Sequence, residues 1–511
     1  MGKPRLIYSL MISLGIALWV EARVFTDSYA INDDVRNQIY WMAKFVDPGF
    51  FANDYIASYF NQSSMVSPML ASLYKFWSFF ADPKILTQYL PFVIILATTY
   101  FLYKACEIHA GPNYAFWISL VFNLYIWTMK YTAGGLPRAF FYLLFFLFFW
   151  MLAKRAWGWL VFCFVLQALI YPTASFLSLV TLLIESFRSK LSPKIFAGAT
   201  AISAVILCTR YLYFKVPSFG PLTTLEQAKA MPEFYIDGRA AVFITPYSFT
   251  QTGFDWSLIN DMLIKFWDQA YIFLVVLAAL VISFVAYKKL AANSSPLVNM
   301  PAYLYSSSFA SIGLFILAYL TLFYLYLPHR YIAYTLPLVP VYIVGALLFK
   351  LEQDSSRRPW LVWLVVILLS FGISKLWRED LIHVSKPQRK LFTYLASTPK
   401  EAMIAAPMDL ASNIVAFAYR SVIANSETNI PFHQAYYQEI TKRVQDLEQL
   451  FKTEDLNYIQ DFVQEYNIDY LVIDTKDSEF NELSPLRSLP AVYSNHRYQV
   501  IDTQTWSPQN D

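Results

Sequence analysis

The sequence predicts a polytopic α-helical membrane protein of about eleven transmembrane helices with a C-terminal soluble α/β domain. Three observations predict it. Apolar residues fill 57% of the 511 positions and charged residues only 15%, which is more apolar surface than one water-soluble core of that length can use. The apolar residues come in runs of about 18 or more between short polar breaks, the length a helix needs to cross a hydrocarbon core of about 30 Å. After Arg378 those runs stop, and short strand-like and helix-like segments alternate instead.

The spans are expected at Leu6–Val20, Leu86–Tyr103, Pro112–Met129, Leu136–Ala153, Ala156–Ile170, Thr173–Ser186, Ile195–Tyr213, Gln269–Tyr287, Tyr305–Leu327, Tyr331–Phe349 and Trp360–Trp377. The first has the basic start of a signal peptide, but Glu21-Ala22-Arg23-Val24 is a poor cleavage site, so it reads as an anchor. With the N-terminus cytoplasmic, the cytoplasmic joints carry Lys104, then Lys154-Arg155, then Arg188, Lys190 and Lys194, then Lys288-Lys289, then Lys350, Arg357 and Arg358. Every one is positive, as cytoplasmic joints are. Pro68–Phe80 is apolar but too short to span, and counting it would invert every later joint. It reads as an interfacial or re-entrant helix.

This topology divides the chain into a transmembrane domain, 1–378, with outer loops 21–84 and 214–268, and a C-terminal extracytoplasmic domain, 379–511. The protein is expected to be multi-pass in an inner or plasma membrane. In the tail, Ala402–Ala406, Ser421–Ala424 and Tyr470–Asp474 read as strands, Leu410–Tyr419 and Tyr437–Tyr466 as helical, and Ala491–Val492 with Tyr498–Ile501 as a hairpin. Strands alternating with helices favour parallel pairing.

Composition also excludes. Lys and Arg (39) nearly balance Asp and Glu (36), and the basic residues sit at helix ends, so nucleic-acid binding is not expected. Cys106, Cys163 and Cys208 have no metal-ligand spacing. The tail has no Gly-rich phosphate loop. No internal repeat is evident, which weakens an inverted-repeat transporter.

Chemistry should sit on the outer face, since the cytoplasmic joints are short and merely basic. The first outer loop carries adjacent carboxylates, Asp33 and Asp34, before an amphipathic helix over Val35–Phe45. Adjacent carboxylates repel, which suits one of them to act as a general base. The same residues also fit a plain helix cap, with Asn32 or Asp33 capping and the acids favouring the positive helix end. Arg138 lies at the outer mouth of a very apolar helix, where its planar fork suits an anionic headgroup, or where it snorkels to the interface. His329 and Arg330 form a second outer basic cluster that could hold a phosphate or pyrophosphate or serve as an anchor, with Tyr331 beside it and Tyr334 one turn below. Asp54, and Asp237 and Arg239 in the charged, aromatic third loop, are further candidates for substrate binding. Asp409, Asn413, Arg420, Glu427 and His433 lie near the strand ends of the tail, where binding sites commonly form, though most of them fit structural roles.

The chain resembles the GT-C fold membrane glycosyltransferases, a superfamily that includes protein mannosyltransferases, aminoarabinose transferases and oligosaccharyltransferase catalytic subunits. The resemblance rests on Asp33-Asp34 in a long first outer loop, on the Arg-Tyr of Pro328-His329-Arg330-Tyr331-Ile332-Ala333-Tyr334, and on the outer α/β domain. The phrases Ala405-Ala406-Pro407-Met408-Asp409 and Tyr470-Leu471-Val472-Ile473-Asp474 add to it. It implies transfer of a sugar from a polyprenyl-phosphate or polyprenyl-pyrophosphate donor to an acceptor lipid, glycan or protein on the non-cytoplasmic face, with inversion. Asp33 or Asp34 would then be the base, and Arg138, His329 and Arg330 would hold the donor phosphate. Some members use a divalent metal, and metal use is left open here. No sequon-binding motif is recognisable in the tail, so single-sugar transfer is expected before oligosaccharyl transfer. The competing classes are a multi-spanning transporter, which would normally need ionisable groups near the midplane, and an inactive scaffold of the same fold.

Overall fold

Helices form where the apolar runs lie, and the breaks between them fall at proline, glycine and charge. The computed structural model describes residues 2–62, 67–129, 133–189, 217–235, 240–243, 300–321, 327–354, 381–477 and 484–505, with single positions at 198, 201, 238, 325 and within 363–377. Among the described residues, three helical stretches are long and apolar enough to cross a membrane: Pro83–Ile126, Ala302–Leu320 and His329–Gln353. Pro4–Val20, Pro137–Ala153 and Trp157–Ile170 are apolar but shorter. The protein is thus mostly helical, with a small mixed sheet. The expected spans at 195–213 and 269–287 fall almost wholly outside the described residues, and that at 360–377 is described only at scattered positions.

The chain divides into two compact units, one of residues 1–23, 89–212 and 242–380, the other of residues 24–88, 213–241 and 381–511. In the first, the long helix Pro83–Ile126 breaks where the sequence separates two spans. Ala110 and Gly111 leave helical geometry, Gly111 at φ 85°, and Pro112 starts the next segment. The expected span Tyr305–Leu327 is shorter than expected at its far end, because the helix Ala302–Leu320 ends as Thr321 leaves helical geometry. The next segment starts earlier, at His329, and is interrupted after Ala333 before resuming over Leu338–Asp354. Pro337 lies in that gap and disfavours helical geometry in the residue before it.

Polar side chains join these helices, as they do where the surroundings offer no hydrophobic contrast. Ser13 bonds Thr99 at 2.9 Å, and the Thr99 hydroxyl donates to Asn123 at 3.1 Å. Gln167 donates to the Leu144 carbonyl and the Ser178 hydroxyl. At another point Arg5 pairs with Glu352 at 2.7 Å while Trp117 Nε1 donates to the same carboxylate. Glu185 is bonded to Ser306 at 2.5 Å and paired with Arg188. Gly345 permits close helix approach, since a Cβ there would lie 2.6 Å from Ile118 Cδ1 and 2.8 Å from its Cα.

The second unit is built on a five-stranded sheet of order β2-β1-β3-β5-β4. Its strands are β1 (Met403–Ala405), β2 (Ser421–Val422), β3 (Tyr470–Asp474), β4 (Ala491–Ser494) and β5 (Tyr498–Asp502). β1 pairs in parallel with β2 and β3, as the alternation predicts, while β5 runs antiparallel to β3 and β4. Leu471, Val472 and Ile473 are all buried, the continuous apolar reading of a strand covered on both faces. The turn between β4 and β5 is tied to the end of β3 by Arg497, whose fork grips Asp474 at 2.7–2.9 Å. The expected helix at 410–419 runs instead over Met408–Phe417, because Pro407 starts it earlier. The expected stretch at 437–466 is two helices, Gln434–Lys452 and Leu456–Glu465, since Asp455 caps a new start at the Asn457 amide.

Candidate functional site

The acidic pair opens a helix of six residues, Asp33–Gln38, followed by a 3-10 turn over Tyr40–Phe45. The expected single helix over Val35–Phe45 therefore starts two residues earlier and changes pitch midway. Asn32 is the cap: its side chain accepts from the Val35 amide at 3.4 Å, leaving Asp33 and Asp34 in the first turn. So short a helix has little stability of its own, and contacts within the unit hold it. Arg36 joins Asp33 at 2.8 Å and donates to Asn413 Oδ1 at 2.6 Å, with its side chain only 11% exposed. The strand-like entry is pinned too, by the Ile382 amide donating to Ile31 O at 3.0 Å and Gln88 donating to Ala30 O at 2.9 Å. Asp27 pairs with Arg389 at 2.6 Å. Asn413 thus serves the segment that carries the acidic pair, and this is a role that only the fold reveals.

Beside the helix lies a shallow pocket with Val35, Arg36, Tyr40, Asp82, Lys84 and Tyr419 in its wall. Tyr419 adopts φ 52° there and its hydroxyl donates to Asp82 at 2.5 Å. Burial, and then the Asp82 charge, push its phenol well above its ordinary pKa. Such a backbone is uncommon for an aromatic residue, and no sequence signal announced it.

Asp54 is 1% exposed, so it lies inside the unit. Its Oδ1 accepts from the Ala57 amide at 2.8 Å and begins the helix Tyr55–Gln62. Burial raises its pKa against the opposing pull of hydrogen bonds and Arg443. In the third loop, Glu233 bonds Asn429 at 2.7 Å and also takes a hydrogen bond from Tyr437. Asp237 and Arg239 lie outside the described residues. In the tail, Arg420 is a structural clasp, donating to the carbonyls of Ala396, Thr398, Ala418 and Tyr419. His433 is 3% exposed with Nδ1 3.1 Å from the Tyr59 hydroxyl.

In the first unit, three turns that the charge pattern assigns to one side meet in an aromatic cluster. Arg138 sits in the 3-10 turn Pro137–Phe140 that leads into the helix Phe141–Ala153. Phe141 stacks on Tyr334 with ring centroids 4.3 Å apart, and Tyr142 donates to the Tyr334 carbonyl at 2.8 Å. Tyr171, at the Tyr171-Pro172 turn, bonds the Tyr334 hydroxyl at 3.2 Å and receives Arg330 Nη1 at 3.1 Å. His329 opens the short helix His329–Ala333 beside Arg330, and both are half-buried. Tyr331 is buried, its hydroxyl donating to Leu325 O at 2.9 Å, which leaves its ring a packing role. Tyr171 is the residue that sequence reading missed, and its position in a turn with Pro172 was the available signal.

Among the described residues, no group of three or more His, Cys, Asp or Glu side chains is arranged to hold a metal ion. Asp33 is already committed to Arg36.

No protein-family model matches the sequence, and no curated protein matches it. Among solved structures, the oligosaccharyltransferase of Archaeoglobus fulgidus in its apo form is similar to the chain with a TM-score of 0.51 at 12% identity, covering 93% of this chain and 69% of that one. Structures of the same protein with zinc and sulfate, and with an inhibitory peptide and a dolichol-phosphate, align with TM-scores of 0.47 and 0.46 at 13% and 12% identity. Each covers 92% of this chain, and 68% and 69% of the other respectively. At such identity the first likeness speaks to fold alone: the chain shares the overall fold of that structure.

Proposed function

We propose that the protein is a membrane glycosyltransferase that moves a sugar from a polyprenyl-phosphate or polyprenyl-pyrophosphate donor to an acceptor on the non-cytoplasmic face, across about eleven membrane helices. The observation that supports this most directly is the shared fold over 93% of the chain. Fold does not dictate function, so the reading also leans on local chemistry. The cluster of Arg330, Tyr171 and Tyr334, on which Phe141 stacks, offers the Arg330 guanidinium at a helix start, and guanidinium suits a phosphate.

In this reading Asp33 or Asp34 accepts the acceptor hydroxyl's proton as its oxygen attacks the anomeric carbon. The bond from that carbon to the lipid phosphate oxygen breaks, its electron pair leaves with the phosphate, and configuration inverts. The departing phosphate is already an anion, so Arg138, His329 and Arg330 stabilise it without a separate proton donor. The test is transfer of a labelled sugar from a polyprenyl-linked donor in membranes matched for protein level. Asp33→Asn or Asp34→Asn should reduce transfer by about 10²–10⁴-fold, the usual contribution of a general base. Asn remains a good residue at a helix start. Transfer that survives both substitutions sinks the assignment of the base. Parallel reactions with a chelator and with added divalent ions test metal use.

A further inference from the structure

One end of the tail sheet carries aromatic and polar atoms that neither the sheet nor the proposed reaction uses. Side chains alternate along a strand, so Tyr470, Val472 and Asp474 of β3 share one face. The antiparallel register sets Asp502 opposite Tyr470 and Val500 opposite Val472, and Tyr493 of β4 lies opposite Val500. The helix Lys386–Leu395 lies against this face. Tyr394, in its last turn, stacks on Tyr493 with ring centroids 4.6 Å apart and planes 20° from parallel, and Asn495 donates to the Pro387 carbonyl at its start. Val472 and Val500 are fully buried, whereas Tyr394, Tyr470, Tyr493 and Asp502 beside them are half-buried. The result is a ledge of three phenol rings around a carboxylate.

Part of this ledge is fixed by the protein itself. The Tyr493 hydroxyl accepts from Asn495 at 3.1 Å, and Asp502 Oδ1 accepts from the Gln504 amide at 2.9 Å. Exposed Gln504 is held in turn by Asp469 at 3.2 Å. Among the described residues, no hydrogen bond is made by Asp502 Oδ2 or by the hydroxyls of Tyr394 and Tyr470, and no Lys or Arg pairs with Asp502. Burial, and then the Asp502 charge, push both phenols above their ordinary pKa, so both remain donors at neutral pH.

A matching ligand offers an apolar face to the rings and several hydroxyls to one carboxylate and two phenols. A pyranose ring does both: its C–H face is apolar, and two neighbouring hydroxyls can donate to one carboxylate. An anion would meet the Asp502 charge, and a wholly apolar ligand would leave that carboxylate without a partner. The stacked pair presents flat surface rather than the walls that enclose an ammonium group. We propose that Tyr394, Tyr470, Tyr493 and Asp502 form a surface subsite for one neutral pyranose ring. The tyrosine rings carry its C–H face, Asp502 Oδ2 accepts from its hydroxyls, and the Tyr394 and Tyr470 hydroxyls donate to its oxygens. This subsite uses none of the residues assigned to sugar transfer and does not depend on that reaction.

The test uses the full chain in phosphatidylcholine nanodiscs, free of glycoside detergents. The probes are methyl α-D-mannopyranoside, methyl β-D-glucopyranoside and N-acetylglucosamine. Magnetisation saturated on the protein should pass to the ring C–H protons of at least one probe. Asp502→Asn and Tyr394→Ala should each weaken binding of that probe by about tenfold, and Tyr470→Phe by about threefold. Asp502→Asn keeps an oxygen for the Gln504 amide and Tyr470→Phe keeps the ring, so these two decide the matter if Tyr394→Ala lowers the thermal midpoint. Absence of saturation transfer to every probe would overturn the proposal. Transfer that survives both Asp502→Asn and Tyr470→Phe would also overturn it, by placing the sugar elsewhere on the chain. Binding of tetramethylammonium that is lost in Asp502→Asn, with no sugar bound, would overturn it in favour of a cation site.

Discussion

At the residue scale, Arg36 shows how a catalytic assignment and a structural one can share atoms. Its guanidinium ties Asp33 to Asn413, so the helix carrying the acidic pair is held by the tail rather than by its own six residues. Asn413→Ala removes one partner of a mostly buried charge, and a loss of about 1–3 kcal/mol is expected. The measurements are a lowered thermal midpoint and faster amide exchange over residues 33–38, and unchanged exchange would show that Asn413 is a bystander. Asp54 gives a pH signature in the same unit. Burial raises its pKa above the ordinary 3.8, so the folded state holds the proton more tightly than the unfolded state. Its contribution to stability is therefore complete below that ordinary value and is lost as pH rises through the raised one. Asp54→Asn removes the charge and keeps an oxygen to cap the Ala57 amide. Relative to wild type, the variant should gain thermal stability as pH goes from 4 to 7, and a difference that stays flat with pH would refute this.

At the element scale, the sequence was most legible where one signal dominates. β3 falls on Tyr470–Asp474 as expected, because a buried apolar run is bounded by charge on both sides. The break at Ala110-Gly111 follows from glycine and proline together. The helix Lys386–Leu395 went unread although Ser385 and Gln388 carry a capping-box signal, with Gln388 Oε1 accepting from the Ser385 amide at 2.9 Å. Its apolar face is short and the preceding membrane run obscured it. The positive φ of Tyr419 and the Arg36–Asn413 bond had no local signal, since each is set by a partner distant in sequence. Gly345 is similar: nothing local says why glycine is there, yet an added Cβ would meet the Ile118 backbone at 2.8 Å. Backbone cannot yield as a flexible side chain can, so Gly345→Ala should cost about 1–3 kcal/mol through overpacking. The check is thermal unfolding in detergent, and a variant as stable as wild type would mean that the two helices separate without penalty.

At the scale of the whole molecule, the fold likeness and the charge pattern bear on different properties. The likeness supports an architecture, whereas sidedness rests on where Lys and Arg collect. Each expected cytoplasmic joint carries at least one of them, and moving charged residues across a bilayer is what the sorting of joints avoids. That sidedness holds only if Pro68–Phe80 does not span. A ten-residue helix within that stretch fits that condition. Were the segment a crossing, every later joint would change sides and the positive residues would face outward. A single experiment separates the alternatives. Cysteine at Lys442, on an exposed helix of the tail, should react with a membrane-impermeant maleimide in intact cells, and one at Ser294, beside Lys288-Lys289 in sequence, should react only after permeabilisation. Reaction of both from the same side would show an error in the number of crossings between them. Reversal of both would place the tail, and with it the helix carrying Asp33 and Asp34, in the cytoplasm, where a donor presented on the outer leaflet could not reach the proposed base.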